Sequence, residues 1–170
     1  DRAFLFGSGA SNEPTGLFNI AGINSKSMGT NGATPSSYDE LCDAVYEVLL
    51  DNADYPKHAI MHPRTWVTYN KLKDGNGMPL VSPPMLQQIK SLMTTAVPIT
   101  QTQGTASGVC STVLLGDFSR FMIGMRTSVQ LKRLEERYAE FDQVGFYARV
   151  RVDCDVTNPS HFCKVIGIKP

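Results

Sequence analysis

The sequence predicts an α+β domain, in which amphipathic helical stretches and short apolar runs lead into a long alternating segment. Three observations carry this. Leu41, Ala44, Val45, Val48 and Leu49 recur at helical spacing. From Phe146 the even positions read Phe146, Ala148, Val150, Val152, Cys154 and Val156, and the odd ones Tyr147, Arg149, Arg151, Asp153 and Asp155, a period of two that means a strand. Turn-forming clusters such as Asp74, Gly75, Asn76 and Gly77 punctuate the chain between them. The alternating stretch, inside an extended run from about residue 129, is expected to be the scaffold of the molecule. One of its faces should lie in a core and the other, with both charge signs, should face solvent or another subunit. Such a face does not offer the convergent groups in a concavity that a catalytic pocket needs.

Composition bounds the rest. The chain has 170 residues, 42% hydrophobic and 19% charged, enough for one domain with a real core. Lysine plus arginine equals aspartate plus glutamate at 16 each. A neutral chain has no overall field to steer it to nucleic acid or an anionic membrane. It also gains little solubility from charge repulsion, which fits a protein that sits among copies of itself. Cys42, Cys110, Cys154 and Cys163 contain no close pair and read as small, reduced, buried hydrophobes, Cys42 on a helix's apolar side and Cys154 on the strand's inner side. No apolar run approaches the roughly 18 residues that span a bilayer. The chain begins on an apolar run at residues 3–6 without a signal-peptide pattern, as if in the middle of a fold, so further chain upstream is expected.

In order, residues 7–35 are rich in Gly, Ser, Asn and Pro and read as a long loop or short extended pieces. Gly7, Ser8 and Gly9 match no phosphate-binding pattern. Ser37, three residues before Glu40, is expected to cap a helix over 37–53. Its acidic outer face, Asp39, Glu40, Asp43 and Glu47, needs only the helix dipole to account for it. Residues 58–61 read as a strand, and Pro63 opens a helix through Trp66, Tyr69 and Leu72 to Asp74. His58 and His62 are four apart, but Pro56 and Pro63 put them on an extended piece and not on one helix face, so they are no zinc pair.

A turn-rich excursion follows over 74–84, then a short helix over 85–93, an edge strand at Val97 and Ile99 around Pro98, a polar loop over 101–108, and strands at 109–115 and 121–125. Residues 129–134 alternate into a charged segment, Lys132, Arg133, Glu135, Glu136 and Arg137, read either as a solvated hairpin tip or as a contact with a neighbour. Glu135, Glu136 and Glu140 have no apolar surroundings to raise a pKa, which argues against acid–base work. Residues 162–168 form the strand that closes the sheet. No nucleophile–base motif, metal spacing or cofactor motif is present, and no catalytic, cofactor or metal residue is assigned.

Six segments, in order over nearly the whole chain, resemble the C-terminal part of the major capsid proteins of tailed bacteriophages, the Hong Kong 97 type fold. They are Ala3, Phe4, Leu5 and Gly7 with Glu13, Pro14, Thr15, Gly16 and Leu17; Met61, His62, Pro63, Thr65 and Trp66; Leu72 to Leu80 through Asp74, Gly75, Asn76 and Gly77; Val97, Pro98 and Ile99; Leu115, Gly116, Asp117, Phe118 and Ser119 with Ile123, Gly124 and Arg126; and Arg151, Asp153, Val156, Pro159 and Phe162. They are similar to the family's "AF..G…P.G", "NP..W", "LKD.NGRP", "G.PV", "GDFS.Y.IG.R" and "R.D..V..P.AF". His62, Met78, Ala96 and His161 stand where asparagine, arginine, glycine and alanine are usual.

The resemblance implies a shell subunit that acts by packing and not by catalysis, with an entry segment at 1–36, an axial-type lobe at 37–127, peripheral-type extended strands at 128–159 and a closing strand at 160–170. Asp74, Asn76 and Met78 would point toward a capsomer symmetry axis. Lys132, Arg133, Glu135, Glu136, Arg137, Arg149 and Arg151 would reach neighbouring subunits. Implied partners are copies of itself in hexamers and pentamers, with scaffold, protease or portal, weak contact to DNA inside the shell, and no membrane. Implied locations are the virion capsid and, during assembly, the bacterial cytoplasm. The family's N-terminal arm, extended loop and spine helix would precede Asp1, so this chain is not expected to build a shell alone. The family's isopeptide cross-link is not expected either, because Asp142 and Arg149 stand near its asparagine and glutamate positions. An encapsulin-like compartment shell is the nearest alternative, and a hydrolase with a dispersed site is one of a different class.

Overall fold

The computed structural model of the chain describes residues 1–134 and 136–170. Its centre is a six-stranded mixed sheet. The strands are β1 (Asn24–Ser27), β2 (His58–Met61), β3 (Lys90–Met93), β4 (Gln101–Gln103), β5 (Ala106–Gly116) and, last in the chain, β8 (Phe162–Ile168), ordered β1-β8-β5-β2-β3 with β4 paired to the outer half of β5. β1 runs parallel to β8 and β2 parallel to β3, whereas β5 is antiparallel to both β2 and β8.

Period-two alternation divides the buried side chains between two layers. Val113, Leu115, Cys163 and Val165 face one layer, where α2 (Asp39–Leu50) lays down Leu41, Ala44, Val45 and Val48 and α3 (Pro63–Asn70) adds Tyr69. Leu114 and Phe162 face the other layer, with Leu5 from α1 (Arg2–Phe6), Leu17 from the 3-10 turn Leu17–Asn19, and Ile23. Gly167, at φ +82°, lies where the β5–β8 register shifts, and the extra residue turns Ile168 to the same layer as Val165. Thr65 of α3 and Ser111 of β5, both buried, join the helix to the sheet by a hydroxyl–hydroxyl bond of 2.7 Å, and Ser111 lies 3.2 Å from the Ile168 carbonyl.

From one end of this body projects a two-stranded antiparallel ribbon, β6 (Phe121–Leu134) and β7 (Gly145–Val156). It joins the sheet through two short 3-10 turns, Phe118–Arg120 and Pro159–His161. The joint is tied by polar groups. Buried Asp117 accepts from Lys57 Nζ at 2.8 Å and from the Ser119 amide at 3.1 Å, Arg120 pairs with Asp54 at 3.0 Å, and Thr157 donates from N and Oγ1 to the Arg120 carbonyl. Cys154 is held against the entry segment, its Sγ 3.3 Å from the Thr15 carbonyl.

Several sequence expectations are corrected here. The alternating segment is a strand, but most of its even-numbered face is outside a core: Phe146 is 68% and Val150 46% exposed, and only the root end is covered, where Cys154 is buried and Val156 packs on the second layer. The organising element is instead β5 with β8, and β8 is an interior strand, because β1 from the glycine-rich region pairs with its outer side. Ser37 does not cap α2. Its hydroxyl bonds Asp39, two residues on, which leaves Tyr38 at the cap position with no side-chain bond.

α3 ends at Asn70, and residues 85–93 split into α4 (Pro84–Gln87) and β3. Val97 is buried in a turn and not on a strand, while 101–108 holds β4 and a tight return at Gly104, φ +55°. The 127/128 division falls inside β6, at the place where its pairing with β7 shifts register. Cys42 is half-buried, whereas Cys110, Cys154 and Cys163 are buried, and all four are free. Ser8 donates from its amide and hydroxyl to the Glu13 carboxylate, so an internal acid occupies the turn considered for phosphate.

Candidate assembly surfaces

The loop after α3 is preformed. Asp74 Oδ1 accepts from the amides of Asn76 and Met78, both at 2.9 Å, the Asp74 amide donates to the Met78 carbonyl, and Lys73 bridges Pro79. Gly77 takes φ +81°, a conformation glycine reaches without strain. Asp74 therefore organises the loop from within, while Met78, 64% exposed, presents apolar surface in the turn and Val81, 80% exposed, does so just past the loop's base. Asp74→Ala is expected to cost about 1 kcal/mol through two lost turn bonds and to speed protease cleavage within 74–80, read by timed digestion and mass spectrometry.

The ribbon has two unlike faces, because residues opposite each other in register share a face. Ile123 with Cys154, Met125 with Val152, Leu131 with Ala148 and Arg133 with Phe146 make one face largely apolar. Ile123, Met125, Leu131 and Phe146 are each more than half exposed. The opposite face pairs Met122 with Asp155, Gly124 with Asp153, Thr127 with Arg151, Gln130 with Arg149 and Lys132 with Tyr147. Arg149 Nη2 donates to Gln130 Oε1 at 2.8 Å.

The sequence-selected contacts thus fall in two separate places: Asp74, Asn76 and Met78 on the loop, and Lys132, Arg133, Arg149 and Arg151 on the ribbon. Glu136 and Arg137 lie in the 3-10 segment Glu136–Phe141 at its tip, and Glu135 lies outside the described residues. Glu140 is exposed like Glu136. Sequence reasoning missed the apolar ribbon face as a surface; its alternation was the signal, read as a core because alternation cannot tell a covered face from a bare one.

The histidines sit among structural contacts: His161 lies 4.0 Å from Asp54, and His58 meets the Phe118 ring edge-on. His62 Nδ1 accepts from the Arg64 amide at 3.0 Å and caps α3, and burial with the nearby Arg64 charge pushes its pKa down. Tyr69, buried, is pushed up by desolvation and the Glu40 charge. Among the described residues no group of three His, Cys, Asp or Glu side chains could hold a metal ion, and no helix is long and apolar enough to cross a membrane.

The family model described as the phage capsid family matches residues 1–166. The chain belongs to the phage capsid family. No curated protein sequence matches it. Solved phage-capsid-type structures do. The capsid of an empty GTA particle superposes with a TM-score of 0.73 at 21% identity, over 98% of this chain and 60% of that one. Mycobacterium phage Ogopogo gives 0.67 at 17%, over 96% and 59%. An encapsulin complex from Synechococcus elongatus gives 0.58 at 14%, over 91% and 57%. At these identities the likeness speaks to the fold, which is the Hong Kong 97 type: a mixed sheet with covering helices and a long projecting ribbon. This phage capsid family chain spans about 60% of the length of these solved capsid chains.

Proposed function

We propose that the chain is the major part of a structural subunit of an icosahedral phage or prophage capsid, which acts by self-assembly into a shell around DNA. The observation that carries this reading, beside family membership, is the ribbon: a long arm with a bare apolar face in a neutral chain. Exposed apolar area of that kind marks a surface other protein covers. In this reading the sheet and its helices form the axial-type lobe, with the 74–80 loop at the capsomer axis. The ribbon forms the peripheral-type arm, its root shared with the entry segment. The protein acts without catalysis, in the virion and, before that, in the host cytoplasm, with scaffold, protease or portal as helpers and only weak contact to DNA. Many modest contacts summed over a closed shell supply the strength.

The test is negative-stain electron microscopy of the complete gene product. Closed shells or capsomer rings are expected; a product that stays monomeric at high concentration, alone and with the neighbouring scaffold gene, overturns the reading. The fold likeness to an encapsulin favours one second reading, a protein-filled compartment, which a copurifying enzyme in place of DNA would select.

A further inference from the structure

We propose that the polar face of the ribbon is a self-complementary docking surface for a second copy of this chain, the two ribbons lying antiparallel about a twofold axis between Arg151 and Asp153. The inference deepens the assembly reading and rests on it.

The pattern comes first. Along β7 the polar face reads Arg149, Arg151, Asp153, Asp155, two cations followed by two anions at the same two-residue spacing. Reversed and laid on itself about its midpoint, this row sets Arg151 against Asp153 and Arg149 against Asp155, twice over. No other antiparallel register does so: moving the axis onto Arg151 or onto Asp153 brings like charges together. Parallel alignment in register does so at every position, and a parallel stagger of four residues makes two opposite-charge pairs where the twofold arrangement makes four. Like-charge contacts across an interface are strongly disfavoured, so the row selects one orientation and one register.

The groups are available for it. All four side chains are exposed, and among the described residues none of the four makes an ion pair within the chain. Asp153 and Asp155 each use one oxygen to accept from the next amide, at 2.9 and 2.8 Å, which holds the carboxylates in place and leaves the other oxygen open. Among the described residues Arg149 bonds the neutral Gln130.

An independent feature marks the same place. Gly124 sits inside β6, opposite Asp153, at an ordinary negative φ, and a Cβ there would meet nothing nearer than the Asp153 carbonyl at 3.9 Å. Its φ is not positive and nothing packs where a side chain would go; a glycine inside a strand marks a bulge, such as the register shift that follows at Met125–Thr127, or the close approach of another backbone, and the open floor here fits the second. The bare floor it leaves is shared by two adjoining open grooves of about 660 and 480 Å³, the first walled by Asp153, Asp155, Met122 and Ile20, the second by Arg126 and Arg151. Gly124 lies beside the axis, where two docked ribbons approach most closely. Charge complementarity names the occupant: a basic pair must meet Asp153 and Asp155 while an acidic pair meets Arg149 and Arg151, and the same row on a second copy supplies both.

The experiment is sedimentation equilibrium on the chain and on two charge-inverted forms, Arg149→Glu with Arg151→Glu and Asp153→Lys with Asp155→Lys. Circular dichroism should show both folded, since only exposed side chains change. The wild-type chain should dimerise, more weakly as sodium chloride is raised. Each inverted form alone should dimerise at least tenfold more weakly, and an equimolar mixture of the two should associate at least as well as wild type. Gly124→Leu should also weaken the dimer at least tenfold with its thermal stability intact. A monomeric wild-type chain overturns the inference, as do dimers unaffected by both inversions, which would be using the apolar face. In the complete gene product, shells formed equally well by the inverted forms overturn this contact and leave the assembly reading standing; no shells from any form overturns that reading itself.

Discussion

Replacing Phe162 with alanine is expected to lower the stability of the chain by about 3–5 kcal/mol, the range for deleting a fully buried aromatic ring. Phe162 is 1% exposed and, among the described residues, is the largest side chain sealed in the interior. Its ring meets Phe118 edge-on, with centroids 5.5 Å apart at 81°, and lies over Gly116, its partner in register. A Cβ at Gly116 would come within 2.3 Å of the Phe162 ring. The ring and the glycine are therefore one fitted pair. Gly116→Ala should destabilise the wild-type chain and do less harm in the Phe162→Ala background, so the two losses should add to more than the double variant shows. Urea denaturation reads this directly; equal losses in both backgrounds would mean that the ring and Gly116 do not share one space. The ribbon root should suffer with the core, because Phe118 begins the turn that launches β6.

Asp117→Asn should cost about 2 kcal/mol at neutral pH, and the cost should shrink in acid. The hydrogen bond from Lys57, with the Ser119 amide bond beside it, holds the Asp117 carboxyl down to about 2, below an ordinary carboxyl near 4, against the opposing effect of burial. With the folded value below the unfolded one, the contribution is complete above about pH 4 and is lost as pH falls through 2. Denaturation midpoints of wild type and Asp117→Asn should converge between pH 4 and pH 2; a gap that stays constant over that window would show that the charge plays no part. Lys57→Ala should do less, since the lysine side chain is 61% exposed and solvent already screens it.

How much of this was legible beforehand depended on whether a signal was local. α2, β2, β5 and the proline-opened α3 could be read because spacing and proline act within a few residues. β1 could not, because Asn24 to Ser27 has no apolar alternation of its own and exists as a strand through its pairing with β8. β3 was hidden by the helical spacing of Leu86, Ile89 and Leu92, which the chain spends on a single turn before pairing with β2. The candidate assembly surfaces were half legible. The loop at 74–80 and the mixed charges of β7 stood out as patterns, but exposure is a tertiary property, and only the folded chain shows that the apolar side of the ribbon is bare and that nothing packs over Gly124.

The joint at the ribbon root has a mechanical consequence. Fourteen residues of β6 extend about 45 Å from a pivot made of two short turns. With that leverage, a rotation of about 5° at the root carries the tip about 4 Å, roughly the spacing between neighbouring strands. Such a rotation is resisted by the Lys57–Asp117 and Arg120–Asp54 pairs, the Thr157 bonds, the contact of Cys154 with the entry segment, and the packing of Phe118, Phe121 and Val156 on the core. A small set of contacts at the root thus holds the aim of a long arm, and a slight yielding there moves its tip by about the width of a strand.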